Sequence, residues 1–298
     1  MAQVFIIGGV SWDTIVYVSE FPQPVAQTLF ASGQETLGST GAGKALALTK
    51  LAIPTTLQAV LGNDEWGRKI ENSLAQQGVN AYFDYDATGT ERHVNLMNQH
   101  GERISLFTHA SASEIAVQPV QFKELLREAT HIVLNIMAYT KALIPQLQAS
   151  GKPIWTDLHD YQAGNAYHEA FISAANYIFV SSDRLPNYRE YMQQWIQDGK
   201  KLVVCTHGAN GATAIDEEGN WYEQAVITTE IVDTNGAGDS FFAGFFSAYL
   251  AGKDIATSLQ YGTICGALAV SSLNLTANDL SAERLEQHWQ QHFGINES

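Results

Sequence analysis

Asp239 follows a run of small residues, Gly236-Ala237-Gly238, with Asp233 and Thr234 before it and an apolar segment after it. Ile231 and Val232 lead in, so the order is extended chain, a turn that only small residues allow, and a helix. Phe241, Phe242, Phe245, Phe246 and Tyr249 recur at helical spacing and mark its core face. A helix N-terminus exposes unpaired N–H groups and the positive end of its dipole, and small residues let an anion approach them. A carboxylate there makes chemical sense if it receives a proton beside growing phosphate charge. Asp239 is therefore a candidate general base for an attacking hydroxyl. Taken alone, GAGD is also an ordinary acidic helix start after a glycine turn.

Other stretches carry candidate chemistry. Residues 4–7 form an apolar run ending in Gly8-Gly9, and Asp13 follows. Open α/β sheets bind ligands just beyond the carboxyl ends of buried strands. An ionised Asp13 there can accept hydrogen bonds from two hydroxyls at once, though an ordinary loop carboxylate would look the same. Residues 38–45, GSTGAGKA, nearly spell a phosphate-binding P-loop. Ala45 offers no hydroxyl for Mg²⁺ and the preceding GQET is not a buried strand, so the stretch reads as a glycine-rich turn before a helix. Residues 206–211, THGANG, follow the apolar KLVVC as a strand-to-hairpin turn.

The longer string DTNGAGDSFFAGF resembles the C-terminal signature of the ribokinase-like (PfkB) carbohydrate kinases, and the resemblance runs over essentially the whole chain. It implies a doubly wound, mostly parallel α/β sheet flanked by helices, with a small β-sheet lid. It implies transfer of the ATP γ-phosphoryl group to a primary hydroxyl of a sugar or polyol. Asp239 would take the proton, N–H groups around Gly236, Ala237 and Gly238 would hold the phosphate charge, and Mg²⁺ would bridge the phosphates. By the same resemblance Asp13, Gly38, Gly41 and Gly43 line the sugar pocket. Ser181, Thr206, Gly208 and Gly211 meet the nucleotide. Asp233, Asn235, Ala269, Ser272 and Asn274 stand at a monovalent-cation (K⁺) site. Lid contacts between two copies would make a homodimer.

The chain departs from the family pattern at three places. Ser39 replaces a glycine, and Gly43 stands where an asparagine that binds substrate hydroxyls is expected. Ser181 and Arg184 occupy the ends of an N-x-x-E motif that orders Mg²⁺, with Asp183 one residue off. Lys44, beside Gly43, reads as a solvated first-turn lysine, with reach toward an anionic substrate group as the alternative. Two other functions stay open. One is a nucleoside or riboside kinase, with Trp12 or Phe107 providing an aromatic slot. The other is a catalytically degenerate regulatory homologue. Arg92 and Arg103 read as solvated strand charges that are also placed to meet a substrate anion. His109, His159 and His207 read as exposed loop residues.

The 298 residues suit a single kinase domain over 1–298, with the lid formed by about 14–37 and 90–109. Net charge is −15, from 31 acids against 16 bases, which excludes nucleic acid or an anionic membrane as the main partner. Cys205 and Cys265 lie in apolar surroundings without metal-ligand spacing, as free thiols in a reducing cytoplasm do. The first residues lack a basic start and a long apolar run, so neither a signal peptide nor a membrane helix is expected. Strand patterns at 4–7, 55–61, 82–85, 131–135, 153–156, 177–180 and 201–206 alternate with helical patterns. The helical patterns fall at 44–51, 65–77, 122–129, 141–149 and 188–196, and the chain ends in helices over 239–250, 255–273 and 282–292. That alternation predicts a parallel sheet covered on both faces. Hairpins are expected at 92–97 with 103–108, and at 212–216 with 221–223.

Overall fold

The computed structural model describes residues 3–294. Its main sheet has nine strands: β1 Val4–Ile7, β4 Thr55–Gly62, β5 Asn80–Asp86, β8 His131–Asn135, β9 Ile154–Asp157, β10 Tyr177–Ser181, β11 Leu202–Thr206, β12 Ala212–Asp216 and β13 Trp221–Gln224. Their spatial order is β13-β12-β11-β10-β9-β8-β1-β4-β5. All neighbours pair in parallel except β12, which is antiparallel to both β11 and β13. A separate sheet holds β2 Ser11–Tyr17, β3 Ser32–Gly38, β6 Arg92–Met97 and β7 Arg103–His109 in the order β3-β2-β6-β7.

The helices are α1 Thr40–Lys50, α2 Glu65–Gln76, α3 Pro119–Glu128, α4 Ile144–Ala149, α5 Glu169–Ala174, α6 Tyr188–Gln197, α7 Ala237–Leu250, α8 Ile255–Val270 and α9 Ala282–Phe293. They divide between the two faces of the main sheet. Val4 and Ile6 of β1 join one buried cluster with α1, α2, α7 and α8, while Phe5 and Ile7 join the other with α3 to α6. Successive side chains of a strand point to opposite faces, so a strand covered on both sides is apolar throughout. This is why β1 appears in the sequence as an unbroken apolar run and β8 as one between His131 and Asn135.

The aromatic face of α7 locks that helix to the sheet. Trp155 of β9 stacks on Tyr177 with centroids 3.9 Å apart and meets the edges of Phe246 at 4.8 Å and Tyr249 at 5.2 Å. Phe242, Phe245 and Phe246 are fully buried. The start of α7 is thereby fixed over the carboxyl ends of β8, β9 and β10.

Two expected boundaries move. α1 begins at Thr40, so Gly41 and Gly43 lie inside its first turn and not in a turn before it. Tertiary contact overrides the poor helix propensity of glycine here. The small sheet begins at Ser11, so Asp13 is a strand residue and not a loop residue. Cys205 and Cys265 are buried free thiols, as expected. Among the described residues no helix is long and apolar enough to cross a membrane.

Phe246→Ala, at a fully buried position remote from the polar end of α7, is expected to cost about 3–5 kcal/mol of stability. Urea unfolding read as a shift in midpoint at unchanged slope checks it.

Candidate active site

The carboxyl ends of the parallel strands form one polar edge, made by Asn135 of β8, Asp157 of β9, Ser181 of β10 and Thr206 of β11. α1 and α7 both start above it. Gly236 is the N-cap of α7, with φ 76°, a left-handed conformation that glycine adopts freely. A Cβ there would also lie 2.1 Å from the carbonyl of Leu275. α7 has no side-chain cap. Among the described residues the N–H groups of Gly236, Gly238 and Asp239 find no acceptor, while that of Ala237 donates to Thr234 at 3.3 Å. The open N–H set is thus Gly236, Gly238 and Asp239, shifted from the expected trio. Three donors at an uncapped helix start are suited to an anion.

Asp239 points toward α1. Lys44 Nζ donates to Asp239 Oδ1 at 2.5 Å, to Asp157 Oδ2 at 2.9 Å and to Thr40 Oγ1 at 2.6 Å. The Thr40 hydroxyl donates to the same Asp239 Oδ1 at 2.7 Å and accepts from Asn135 Nδ2 at 3.0 Å. Lys44 is 0% exposed, which overturns its reading as a solvated lysine. Burial works against the ammonium, but Asp157 and Asp239 outweigh it and hold the Lys44 pKa above the ordinary value. Burial likewise opposes charge on Asp157, yet His159 and Lys44 keep its carboxyl well below the usual range. Gly43 makes the approach possible, because a Cβ at that position would lie 2.3 Å from Asp239 Oδ2. An asparagine there would not fit beside this carboxylate.

Asp13 lies on the inner face of the small sheet and is 3% exposed. Ser11 Oγ donates to its Oδ1 at 2.6 Å and Asn95 Nδ2 to its Oδ2 at 3.0 Å, with His93 Nδ1 3.3 Å from Oδ1. The carboxylate therefore keeps less acceptor capacity for a ligand than its sequence position suggests. Gly38 sits against it, where a Cβ would be 2.2 Å from Oδ2, and Gly41 packs on the backbone of Gly8 and Gly9. Ser39 has φ 70° and ψ 153°, a region essentially reserved for glycine. That accounts for the glycine expected at this position. His93 also reaches Glu91 at 3.1 Å. Burial lowers its pKa, but bonds to Asp13 and Glu91 prevail and raise it to about 9. The Phe107 ring lies 3.9 Å from that of His93 and is 62% exposed. Trp12 and Arg92 face the other way, Trp12 against Glu35 and Lys69 and Arg92 over Trp66, so neither shares the face of Asp13.

In the loop after β11, Gly208 and Gly211 both have positive φ, and a Cβ on Gly211 would meet the Gln224 carbonyl at 2.1 Å. His207 is not a free loop histidine. Its ring bridges Ser182 Oγ and Thr213 Oγ1, each at 2.9 Å, and burial lowers its pKa. Asp183 is exposed, and Arg184 turns away to Gln162 and Asp160. His159 has φ 53° and lies beside Asp157, while His109 carries a buried Nε2 without a partner among the described residues. Asp233 accepts from Tyr17 Oη at 2.8 Å and from the N–H of Asn235 at 2.8 Å. The N–H groups of Val232 and Asp233 both reach the Val270 carbonyl, so the segment before α7 runs beside the one holding Ala269, Ser272 and Asn274.

Asn135, Asp157, His93 and Asn95 were absent from the sequence-level candidates. Asn135 and Asp157 each end an apolar strand, the signal that singled out Asp13.

A family model described as pfkB family carbohydrate kinase matches residues 1–282, and the chain belongs to that family. It is a carbohydrate kinase. Its similarity is spread over full lengths. It is 32% identical over 272 residues to the acarbose 7(IV)-phosphotransferase of an Actinoplanes species, covering 89% of this chain and 91% of that one. It is 26% identical over 275 residues to the ATP-dependent ribose-1-phosphate kinase of Halopiger xanaduensis, covering 90% and 92%. The solved structure of a microbiome-derived acarbose kinase superimposes with a TM-score of 0.86 at 30% identity, covering 96% and 98%.

His93 makes stability depend on pH. Its pKa is about 9 in the fold against 6.5 for the free side chain, so its contribution is complete below pH 6.5 and fades as pH rises through 9. The size is on the order of 3 kcal/mol. Urea unfolding at pH 6 and pH 9.5 is expected to show the wild-type advantage over His93→Gln shrinking at the higher pH.

Proposed function

We propose that this kinase transfers the γ-phosphoryl group of ATP to a primary hydroxyl of acarbose or a carbohydrate like it, with Asp239 as general base. The observation that carries this is the Asp239 carboxylate at the uncapped start of α7, one oxygen tied down and three open N–H groups beside it. The acceptor oxygen bonds to the γ-phosphorus, the bond to the β–γ bridging oxygen breaks, ADP leaves, and the hydroxyl proton passes to Asp239. The N–H groups of Gly236, Gly238 and Asp239 hold charge on the phosphoryl oxygens as it builds.

Acarbose as acceptor is supported by the two acarbose-directed relatives at 30% identity or above. A nucleoside acceptor has one observation in its favour, the exposed Phe107 ring near Asp13 on which a base could stack. Gly208, Gly211, Thr206 and Ser181 would meet the nucleotide from the ends of β10 and β11.

Mg²⁺ fits at the end of β10, where Ser181 and Asp183 are oxygen donors suited to a hydrated ion, and Arg184 is turned away. When bound, the ion neutralises the triphosphate. K⁺ is proposed between the segments at Asp233 and Asn235 and at Ala269, Ser272 and Asn274, which the Val270 carbonyl brings side by side. The small sheet would act as a lid that excludes water from the transfer. Reliance on ATP and two buried free thiols suits a cytoplasmic enzyme.

Coupled ADP-release assays with acarbose, ribose, fructose and adenosine, with and without K⁺, test the reading. Turnover is expected to be highest with acarbose. Asp239→Asn is expected to lose on the order of 10²-fold or more in kcat while ATP still binds. Near-wild-type turnover by that variant would remove Asp239 from the role.

The small sheet is also proposed as a dimer surface. Val94, Leu96, Ile104 and Leu106 pair across β6 and β7 on its outer face, and Ile104 and Leu106 are exposed. Light scattering is expected to give twice the 32.6 kDa chain mass, and Leu106→Glu to give the monomer.

A further inference from the structure

We infer that Lys44 and Asp157 are positioning residues that sort the two oxygens of Asp239, pinning one and leaving the other for the acceptor hydroxyl. The inference rests on the proposed role of Asp239 as base. Both donors that reach the carboxylate, Lys44 Nζ and the Thr40 hydroxyl, bond to Oδ1. Among the described residues no donor reaches Oδ2, which lies over the bare Cα of Gly43. A carboxylate free to rotate would present either oxygen. This one presents Oδ2.

Lys44 does not itself have a donor to spare for substrate. An ammonium has three N–H groups, and Thr40, Asp157 and Asp239 take all three. It acts through Asp239.

Asp157 has a separate task. Lys44 and Asp239 alone would be neutral, and a proton arriving on Asp239 would leave a buried positive charge. With Asp157 the cluster holds two carboxylates and one ammonium. It passes from one net negative charge to none when Asp239 takes the proton. Asp157 thus keeps the clamp while allowing the base to accept. It is itself held by the His159 N–H at 3.0 Å, on a residue whose backbone is strained at φ 53°. Strain of that kind persists where surrounding structure fixes it, and it gathers at functional sites.

The test compares wild type, Asp239→Asn, Lys44→Met and the double variant Lys44→Met/Asp157→Asn. The acceptor is whichever of acarbose, ribose, fructose and adenosine the wild type turns over fastest. The double variant keeps the single negative charge of the native cluster but has no clamp, and it is spared the two unpaired carboxylates that Lys44→Met leaves together. Lys44→Met and the double variant are expected to lose about 10²-fold in kcat, the cost of a misplaced reacting group, with the KM for ATP held within about twofold. The double variant is expected to melt above Lys44→Met. If its kcat stays within about threefold of wild type, Lys44 is only a structural partner and the inference falls. Should Asp239→Asn keep its turnover, it is the base assignment that falls, and the two failures are told apart.

Discussion

A single buried ammonium shared by two carboxylates joins three parts of this fold. Lys44 belongs to α1, Asp157 to β9 and Asp239 to α7, and their contacts bring the first turns of the two helices together over the sheet edge. Charges out of water are costly unless paired and hydrogen-bonded, and removing one partner of a buried pair leaves the other stranded. The triad is therefore all or none. Its closeness dictates the absence of a side chain at Gly43 and the start of α1 at Thr40, whose hydroxyl completes the shell.

The same demand explains local choices that propensity alone would reject. Two glycines in the first turn of α1 weaken the helix, yet each marks a contact too close for a Cβ. Ser39 holds a conformation that costs a non-glycine residue on the order of 1–3 kcal/mol. The aromatic packing of α7 on Trp155 and Tyr177 supplies the rigid side of the arrangement, and the unpaired polar groups gather on the other. Stability and exposed chemistry are thus divided along the length of one helix.

Much of the architecture was legible in the residues. Strands buried on both faces read as apolar runs, so β1, β8, β10 and β11 were evident, and the GAGD run marked the helix start by its lack of side chains. The environment of Lys44 was not legible. Its partners lie 113 and 195 residues away, and nothing in the local pattern separates a solvated first-turn lysine from a buried one. Asp13 was read just beyond the first strand and short of the small sheet, because an inward polar residue in a strand breaks the apolar alternation that identifies strands. Asn135 and Asp157 were within reach of inference, as each is the polar last residue of a buried strand. Trp12 was read as a candidate aromatic slot, and the structure turns it away from the face of Asp13. One step along a strand turns a side chain to the other face, so its neighbour Asp13 looks inward while it looks out.

The attachment of the small sheet has a mechanical meaning. Tyr17 donates to Asp233, Thr234 to the Gly101 carbonyl, Arg103 to Asn235 and Gln34 to the Leu273 carbonyl. Each of these tethers ends on the chain leading into α7 or on the segment beside it. Any swing of the sheet would pull on residues 233–235, which lead into the uncapped start of α7. If the small sheet is the proposed lid, its position and the shape of the chain entering α7 are two ends of one lever.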